Sequence, residues 1–504
     1  MLARVLSSSV QGIDAVPVEV EVDLVFGLPN FATVGLPEGA VRESKDRVRA
    51  AIKNSGYQFP NQKITVNLAP ADIKKSGTGF DLPMAVGILT AAEICNREYL
   101  DHYCLIGELS LDGRLRPVQG ILPMMITARE QGLKGAVIPS ANAREAEVVR
   151  DLDIIAVDHL HEAVNFLADN STIAPLPGKL NFEEQDRENY SLDFCEVKGH
   201  DHVKRALEVA AAGSHNILMK GPPGSGKTML ARRLPTILPD LSFEEALATT
   251  KIFSVSGLMT EGCGLIRQRP FRSPHHTISD AGLIGGGHNP RPGEVSLAHN
   301  GVLFLDEMPE FRKAVLEVLR QPLEDETVTI ARAATTLTFP ARFMMVAAYN
   351  PCPCGYLGDR HHNCTCTPSQ VKRYEDKLSG PLLDRIDMHL EVEALTMEEL
   401  GKKTEGESSA EIKKRVEKAR GLQQERFKND NIFDNGSMGN REIKKFCSLD
   451  STSTALLEKG AEKLGLSARA YHRILKMART IADLEESENI ASHHIAEAIQ
   501  YRRL

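Results

Sequence analysis

A glycine-rich loop near the middle of the chain constrains the fold more than any other feature. Residues 221–228 read GPPGSGKT, follow the largely apolar run 216–219 and lead into a helical pattern from Met229. Glycines allow backbone N–H groups to wrap phosphate oxygens, and the N-terminus of the following helix adds a favourable dipole. A strand, such a loop and a helix in succession predict a P-loop that binds a nucleoside triphosphate.

Two residues of this loop are candidates for contact with the terminal phosphates and their metal ion. A lysine at the position of Lys227 reaches the β- and γ-phosphates, and the hydroxyl of Thr228 can bind Mg²⁺. The expected ligands are therefore a nucleoside triphosphate and Mg²⁺. The residues predicted to hold the nucleotide are Gly221, Pro222, Pro223, Gly224, Ser225, Gly226, Lys227 and Thr228.

Two further apolar strands end in polar residues. Residues 301–305 lead into Asp306 and Glu307, and residues 343–349 lead into Asn350. Ligands of parallel α/β sheets bind at the carboxyl ends of the strands, so these residues are expected beside the P-loop. We predict that Asp306 holds Mg²⁺, that Glu307 polarises the attacking water and that Asn350 orients water or the γ-phosphate. The alternative for the two acids is that they only cap the next helix.

Composition and charge are typical of a soluble protein of about three domains. The chain has 504 residues, of which 42% are hydrophobic, and a net charge of −8. No apolar run approaches the ~18 residues of a membrane span, and the N-terminus lacks the apolar core of a secretory signal. We therefore expect a cytoplasmic protein with no membrane partner. Any contact with DNA must come from a local cluster of Lys and Arg.

The pattern of secondary structure changes along the chain. Strand-like and helix-like segments alternate over residues 1–168, and the prolines and mixed charge of 169–190 are typical of a linker. Strands and helices alternate again around the P-loop over 191–395, whereas 396–504 is almost wholly helical. The predicted fold class is α/β, with a parallel-sheet nucleotide-binding core followed by an all-α region.

A cluster of cysteines begins two residues after Asn350. In a reducing compartment such clustering is typical of a metal site rather than of disulfides. Four thiolates from a short loop can bind Zn²⁺ tetrahedrally and fix a loop that has no hydrophobic core. His361 or His362 could replace one ligand, and free or redox-active thiols are the alternative. The predicted zinc ligands are Cys352, Cys354, Cys364 and Cys366.

These motifs together resemble a known family. The P-loop, the acid strand, Asn350, Arg385 in the segment GPLLDRID and the helical tail are similar to AAA+ ATPases of the magnesium-chelatase-like branch. The N-terminal domain and the cysteine cluster narrow the resemblance to the ComM/YifB-type group. It implies an AAA+ core at 191–395, a C-terminal all-α lid at 396–504 and ATP as the nucleotide. It also implies self-association into a ring, expected to be a hexamer.

The resemblance assigns roles to arginines that spacing alone does not show. Arg385 would be the finger supplied in trans to the neighbouring subunit's ATP, where it stabilises transition-state charge. Arg469 would be the lid arginine on the γ-phosphate of its own subunit, with Arg473 as the alternative. A surface or helix-capping arginine is the competing interpretation. One departure from the family pattern is His200, which replaces a glutamine near the expected adenine pocket.

The N-terminal domain, residues 1–168, resembles Lon-type proteases without their chemistry. Residues 75–85 are similar to the nucleophile segment and 114–124 to the lysine segment, yet Gly79 and Leu122 stand at the serine and lysine positions. Neither side chain can attack a peptide or accept a proton. We expect an α+β Lon-protease-like (ribosomal S5 domain 2-like) domain that serves as a structural or partner-binding module.

Three segments are candidates for contact with a substrate: 266–276, 284–293 and the predicted β-hairpin 327–339. Arginine-rich loops can follow a phosphate backbone without reading its sequence. The same arginines can instead pair with acidic neighbours. The basic candidates are Arg267, Arg269, Arg272, His275, His276 and Arg291.

The resemblance implies an ATP-driven DNA helicase or translocase that promotes branch migration during homologous recombination and natural transformation. Its expected partner is single-stranded or branched DNA bound without sequence preference, with recombination proteins as further candidates. The main alternative is a magnesium-chelatase-type motor that remodels a protein or porphyrin complex. A third hypothesis, an ATP-dependent protease, is weakened by Gly79 and Leu122.

Overall fold

The computed structural model divides into two compact units. It describes residues 2–75, 77–96, 99–168, 173–176, 190–260, 262–287, 290–331, 336–359, 362–395, 406–430 and 432–502. The first unit comprises the described residues before 187 together with Phe243–Ile266, and the second comprises 190–242 and the described residues from Arg267 onward. Most of the predicted linker 169–190 lies outside the described residues, as do Ser76 and His361. No helix in the described part of the chain is both long and apolar enough to cross a membrane.

The first unit combines a mixed sheet with helices. Its strands are β1 (Leu2–Gln11), β2 (Asp14–Val25), β3 (Asn30–Val34), β4 (Lys63–Ala69), β5 (Tyr103–Leu105), β6 (Glu108–Leu109), β7 (Leu115–Arg116), β8 (Gly135–Pro139) and β9 (Asp153–Val157). Its helices are α1 (Gly39–Asn54), α2 (Asp81–Ala91), α3 (Ile121–Glu130), α4 (Ala143–Ala146), α5 (Leu160–Leu167) and, in chain order, α8 (Phe243–Ser256). The sheet has the strand order β3-β4-β2-β1-β5-β8-β9.

The hydrophobic pattern of the sequence explains the core of this unit. Along β2, Val18, Val20, Val22 and Leu24 are buried and the residues between them are partly exposed, as period-two alternation predicts. β1 pairs with β2 in antiparallel register over its full length. Helix α2 is buried at every residue.

Helix α8 belongs to the first unit although it follows the P-loop in the chain, and the sequence did not indicate this. Gly120 N–H donates to Ser254 O at 3.1 Å, which ties α8 to the start of α3. The Ser254 hydroxyl also donates to the buried Glu145 carboxylate. A segment inserted after the P-loop helix is therefore packed into the N-terminal unit.

The second unit contains the P-loop and the helical C-terminal region. Its strands are β10 (Ile217–Lys220), β11 (Phe271–Arg272), β12 (Gly285–Gly286), β13 (Arg291–Pro292), β14 (Val302–Leu305), β15 (Thr327–Ala331), β16 (Thr336–Pro340), β17 (Met344–Tyr349) and β18 (Met388–Glu391). The helices around the sheet are α6 (Asp201–Gly213), α7 (Lys227–Arg233), α9 (Asp280–Ile284), α10 (Glu294–Leu297), α11 (Lys313–Glu317), α12 (Pro322–Asp325), α13 (Pro368–Glu375) and α14 (Gly380–Leu383). The C-terminal helices are Ser409–Arg426, Asn440–Phe446, Ser451–Leu464, Ala468–Leu484 and Ser492–Gln500.

A parallel sheet with the strand order β11-β14-β17-β10-β18 lies at the centre of this unit. β14 and β17 are buried along their whole length, as expected for strands covered on both faces. The C-terminal helices and the sheet share one hydrophobic core, to which Phe304, Met388 and Ile481 contribute. The antiparallel pair β15–β16 confirms the predicted hairpin, whose turn at 332–335 lies outside the described residues.

A buried ion cluster at Asp434 joins the sheet to the helical region. Arg342 Nη2 lies 2.7 Å and Arg420 Nη1 3.2 Å from Asp434 Oδ2. Asp434 also accepts a hydrogen bond of 2.9 Å from Ser437 N–H. Burial alone would raise the pKa of the Asp434 carboxyl, but the two guanidinium groups hold this pKa well below its usual range. The buried Asp434 carboxylate is therefore held in its ionised form beside the two guanidinium groups.

Asp434→Asn should lower the free energy of unfolding by about 3 kcal/mol, because it leaves the buried Arg420 without its counter-charge. The wild-type contribution is fully present above an unfolded-state pKa of about 3.9 and is lost as the pH falls below that value. Urea denaturation of both proteins measures the difference. Glu486→Gln, which breaks the exposed Lys418–Glu486 pair, is the control and should cost less than about 1 kcal/mol. Equal losses in the two variants would contradict the account.

Candidate active site

Three parallel strands bring the predicted catalytic residues to one edge of the sheet. β10, β17 and β14 pair in parallel register, and they end immediately before Gly221, Asn350 and Asp306. The segments that follow are in contact, since Lys227 Nζ lies 3.2 Å from Asn350 Oδ1 and Thr228 Oγ1 lies 2.7 Å from Asp306 Oδ2. The carboxyl ends of these strands therefore form one polar site.

The P-loop follows a path that its glycines permit. Gly224 and Gly226 have φ of +76° and +88°, in the region where other residues are strained. A Cβ at Gly221 would lie 2.2 Å from Val392 O. The start of the loop therefore packs directly against the backbone that follows β18, where only glycine fits. A Cβ at Gly226 would lie 3.8 Å from His200 Nε2. His200, the departure from the family pattern, thus lies beside the P-loop.

Lys227 is a buried cation whose direct partners are uncharged. Its side-chain nitrogen donates to Gly221 O at 2.7 Å and Pro222 O at 2.8 Å, and it also contacts Ser225 Oγ and Asn350 Oδ1. The residue is only 7% exposed. Burial lowers the pKa of the Lys227 amine, and the nearby carboxylates of Asp306 and Glu307 partly oppose that effect. An anion such as a phosphate would therefore be stabilised here.

Thr228 and Asp306 offer the ligands that Mg²⁺ prefers. The hydroxyl of Thr228 donates to Asp306 Oδ2, and Asp306 Oδ1 accepts from Glu307 N–H at 3.0 Å. Hydroxyl, carboxylate and phosphate oxygens together match the hard oxygen donors of a magnesium site. When bound, Mg²⁺ would neutralise charge on the terminal phosphates. Thr228 and Asp306 fit the ion, and their contact holds both oxygens at the sheet edge.

Glu307 extends from this edge with its side chain 56% exposed, where water is accessible. Its backbone adopts a left-handed φ of +50°, which is uncommon outside glycine. His276 Nδ1 lies 3.7 Å from Glu307 Oε2. The sequence suggested His276 only as a DNA contact. The feature that indicates its position beside Glu307 is that it follows a strand adjacent to the strand that ends at Asp306.

The arginines implied by the resemblance lie away from their own P-loop. Asn216 Nδ2 donates to Arg385 O at 3.5 Å, so Arg385 is at the amino end of β10, about 13 Å along the strand from the loop. Its side chain is 5% exposed and lies 2.5 Å from Glu324 Oε1. Arg469, which is 61% exposed, lies 3.8 Å from the same oxygen.

Arg473, the alternative to Arg469, is held by a different carboxylate. It forms an ion pair with Asp387, which is buried and accepts a 2.8 Å hydrogen bond from Asn216 N–H. This contact also lies at the amino end of β10. Arg473 therefore ties the helix Ala468–Leu484 to the sheet.

Two of the basic residues proposed for DNA contact have structural partners instead. Arg269 donates to Pro239 O at 2.6 Å and Asn300 O at 2.7 Å. Arg272 forms a bidentate pair with Glu294, with both contacts at 2.7 Å. Both guanidinium groups therefore have internal partners, which favours the competing interpretation for these two residues. Arg291 remains exposed on β13.

The four cysteine sulfurs of the predicted zinc loop converge. The Sγ atoms of Cys352 and Cys354 lie 3.3 Å apart, and each lies 3.6 Å from that of Cys364. All four sulfurs, including that of Cys366, lie within 4.8 Å of one another. Zn–S bonds of about 2.3 Å in a tetrahedron place sulfurs about 3.8 Å apart, whereas a disulfide needs about 2.05 Å. The arrangement fits four zinc ligands and excludes disulfide pairing in this conformation.

The cysteine loop packs against the nucleotide site. Gly355, with φ of +88°, lies so close to the P-loop that a Cβ there would be 2.6 Å from Pro223 Cγ. The same Cβ would be 3.9 Å from Asn350 Cγ. The cysteine loop therefore lies beside both the P-loop and the polar strand end at Asn350.

The segments of the first unit that resemble Lon proteases form packed core. A Cβ at Gly79 would lie 3.3 Å from the side chains of both Ile106 and Val118, so the serine position faces apolar side chains. Leu122 is fully buried, and its N–H donates to Glu145 Oε1 at 3.0 Å. The described residues at these positions therefore supply neither a nucleophile nor a base.

A parallel sheet with a P-loop, an acidic strand end and a polar strand end at one edge, packed on C-terminal helices, defines a P-loop ATPase core of the AAA+ class. Models of known protein families match three parts of the chain and agree with this class. Residues 193–400 match "Magnesium chelatase, subunit ChlI", residues 20–142 match "Subunit ChlI of Mg-chelatase", and residues 406–502 match "Magnesium chelatase, subunit ChlI C-terminal".

Full-length relatives narrow the class. The chain is 44% identical to competence protein ComM of Haemophilus influenzae, over 100% of this chain and 98% of that protein. It is also 44% identical to the uncharacterized protein YifB of Escherichia coli, over 100% of this chain and 97% of that one. The chain therefore belongs to the ComM/YifB-type family of magnesium-chelatase-like AAA+ proteins. Membership of this family implies that the protein is a remodelling ATPase that uses ATP and Mg²⁺.

Two further relatives match only part of the chain. Lon protease 2 of Bacillus subtilis is 29% identical over 153 residues, which are 28% of this chain and 26% of that protein. The DNA replication licensing factor Mcm2 of Drosophila melanogaster is 25% identical over 209 residues, which are 38% of this chain and 20% of that protein. The Lon-protease-like resemblance noted from the sequence thus has a counterpart among known proteins.

Lys227→Ala should weaken ATP binding by at least about 100-fold, or about 2.8 kcal/mol, because it removes the buried cation. Glu307→Gln should bind ATP as the wild type does and slow turnover by about 100-fold or more, because an amide cannot act as a general base. Titration with a fluorescent ATP analogue and a steady-state phosphate assay separate the two effects. Normal binding by the first variant, or rapid turnover by the second, would contradict these roles.

Proposed function

We propose that this protein is a ring-forming ATPase, expected to be a hexamer, that translocates on single-stranded or branched DNA and promotes branch migration in recombination and natural transformation. The observation that carries the proposal is the convergence of the P-loop, Asp306 and Asn350 at one sheet edge, in a chain related over its whole length to a competence protein. The alternative of an ATP-dependent protease is not favoured, because the Lon-like positions are packed and lack a nucleophile.

The placement of Arg385 supports the ring. An arginine about 13 Å from its own P-loop along β10 acts on ATP only if a neighbouring subunit presents it. Arg469 shares the Glu324 carboxylate with Arg385, so we propose that both guanidinium groups face the neighbour's nucleotide. This replaces the same-subunit role that the resemblance implied for Arg469. Glu324 would release the two arginines when the neighbour binds ATP.

Contact with DNA is supported by exposed residues and by sequence similarity to a DNA replication factor. Arg269 and Arg272 have internal partners. Arg291, on the β12–β13 hairpin, is exposed. The β15–β16 hairpin exposes Thr329 and Thr338 on one face. Such loops suit binding to a phosphate backbone without sequence preference. The partial match to a protein named as a DNA replication factor points the same way.

We further propose that the cysteine loop holds a structural Zn²⁺ through Cys352, Cys354, Cys364 and Cys366. The sulfur separations of 3.3–3.6 Å and the backbone N–H donors to Cys364 and Cys366 favour bound metal. The metal would fix the loop that packs on Pro223 and Asn350. Its role is structural, because four sulfur ligands leave no open position for substrate.

A chelatase-type motor that remodels a protein or porphyrin complex is the second candidate, favoured by the match of residues 193–400 to the magnesium chelatase model. Both candidates predict ATP turnover, so only the stimulating partner separates them. Porphyrin metallation in the presence of this ATPase would support the second candidate. No effect of any DNA on turnover or binding would exclude the first.

Single-stranded or forked DNA should raise the ATP turnover of the wild-type protein several-fold, and rising salt should weaken this effect because phosphate contacts release counterions. Arg291→Ala should raise the DNA concentration needed for half-maximal stimulation and leave the turnover without DNA unchanged. Arg441→Ala removes one exposed positive charge from a C-terminal helix and is the matched control. Equal effects of the two substitutions would count against a DNA contact at the β12–β13 hairpin.

Purified protein should contain about one Zn²⁺ per chain, measured by elemental analysis. Cys354→Ser should lower this content and weaken ATP binding, because the loop that braces Pro223 loses its fixed shape. Cys104→Ser, at a buried cysteine of the first unit, is the control for loss of a thiol and should retain zinc. A content below about half an ion per chain would contradict the assignment.

A further inference from the structure

The cysteine loop holds two sulfur atoms that a small movement would join. Cys354 Sγ and Cys364 Sγ lie 3.6 Å apart, whereas a disulfide bond needs about 2.05 Å. The two atoms must therefore approach each other by about 1.5 Å before a bond can form. Convergence on a zinc ion explains why the sulfurs lie so close together, and the same closeness makes them partners for oxidation.

Exposure and spacing favour this pair among the cysteines of the loop. Cys352 is fully buried, whereas Cys354 and Cys364 are partly exposed and can be reached by a small solute. The sulfurs of Cys352 and Cys354 are nearer to each other, at 3.3 Å, but only Pro353 separates the two residues. A disulfide between them would close a very small ring around a proline whose φ is fixed. Cys354 and Cys364 are therefore better placed to form a bond.

Three cysteines outside the loop are unsuited to the same reaction. Burial raises the pKa of the Cys95 thiol to about 11 and the pKa values of Cys104 and Cys447 to about 12. These three thiols therefore remain protonated at neutral pH, and the thiolate is the form of cysteine that reacts as a nucleophile. Cys195 and Cys263 also lie outside the loop and are partly exposed.

The sulfurs of the loop are in the reactive, ionised form when metal is bound. Cysteine ligands of Zn²⁺ are thiolates, because metal binding displaces their protons. Backbone groups favour the same charge, since Cys366 N–H donates to Cys364 Sγ and Cys354 N–H donates to Cys366 Sγ, both at 3.4 Å. Partly exposed thiolates are the cysteines most susceptible to hydroperoxides.

A movement of Cys354 would be transmitted to the P-loop. Gly355, the next residue, lies so close to Pro223 that a Cβ on it would be 2.6 Å from Pro223 Cγ. Pro223 follows the two residues whose carbonyl oxygens accept hydrogen bonds from Lys227. A shift of Gly355 therefore reaches the backbone that holds the phosphate-binding lysine.

We propose that Cys354 and Cys364 are an oxidation site for hydroperoxides, and that the disulfide between them weakens ATP binding. The proposal rests on the proposed function for the zinc ligands and deepens it with a reaction that regulates the nucleotide site. Because the two sulfurs are reached directly from solvent, the reactant is a small, soluble hydroperoxide.

The reaction balances in two steps. One thiolate attacks the terminal oxygen of the hydroperoxide, so that an S–O bond forms, the O–O bond breaks and the alkoxide that leaves takes a proton from water. The second thiolate attacks the resulting sulfenic sulfur, forms the S–S bond and displaces hydroxide. The two thiolates lose two electrons, which the hydroperoxide gains. The loop then lacks two of its four zinc ligands, so the ion is released, and a thiol reductant reverses the change.

One equivalent of tert-butyl hydroperoxide per chain, added to the reduced full-length protein, should release about one Zn²⁺ and remove about two thiols. A chromogenic chelator and a thiol assay measure these changes, and peptide mapping should find the bond between Cys354 and Cys364. The affinity for a fluorescent ATP analogue should fall about fivefold or more, which is the lower end of typical couplings between two sites. Dithiothreitol with added Zn²⁺ should restore this affinity.

The coupling must also act in the opposite direction, because an equilibrium coupling between two sites is reciprocal. In a dithiothreitol redox buffer at fixed free Zn²⁺, saturating ATP should lower the ratio of oxidised to reduced loop. The factor should equal the loss of ATP affinity on oxidation. A ratio that ATP leaves unchanged would contradict the coupling.

The double variant Cys195→Ser, Cys263→Ser is the matched control, because it removes the two partly exposed cysteines outside the loop. It should respond to hydroperoxide as the wild type does. Loss of the response in this control, zinc that stays bound after oxidation, a disulfide elsewhere, or unchanged ATP affinity in the oxidised protein would overturn the proposal. Reduced protein without zinc would contradict the zinc assignment instead, while peptide mapping and ATP affinity would still test the oxidation site.

Discussion

The parallel pairing of β14, β17 and β10 determines the position of every group in the nucleotide site. Because these buried strands are in register, Gly221, Asp306 and Asn350 leave the sheet at the same edge. The contacts of Lys227 with Asn350 and of Thr228 with Asp306 follow from that alignment. A shift of one residue in any strand would move the polar residue at its end by about 3.3 Å along the sheet, so the strand register maintains the site.

The same sheet separates the two sets of residues that the proposed ATP site requires. Its carboxyl edge carries the groups that bind phosphate, whereas Arg385 lies at the amino end of β10. In the ring that we propose, a neighbouring subunit would supply this positive charge to the phosphate-binding edge. The cysteine loop adds a second support, because Gly355 packs on Pro223 and fixes the P-loop from outside the sheet.

Much of this fold and site could be predicted from the sequence because the signals are local. The P-loop, the acids after β14 and the cysteine spacing each specify chemistry within a few residues, and the structure brings them together. The insertion of α8 into the first unit could not be predicted, because it depends on contacts of Ser254 with Gly120 and Glu145 far away in the chain. The partners of Arg269 and Arg272 are likewise tertiary, so the sequence could not show which internal groups hold these two side chains. His276 was noticed for its charge, but only the pairing of β11 with β14 reveals its contact with Glu307.

The central claim is that each ATP site combines Lys227 of one subunit with Arg385 of the next. Mixing Lys227→Ala protein with Arg385→Ala protein tests it directly, because each variant alone lacks one half of every site. In mixed rings, some interfaces pair an intact P-loop with an intact arginine, so ATP turnover should reappear on mixing. Turnover that stays at the level of the separate variants, although the two proteins assemble together, would contradict a site shared between subunits.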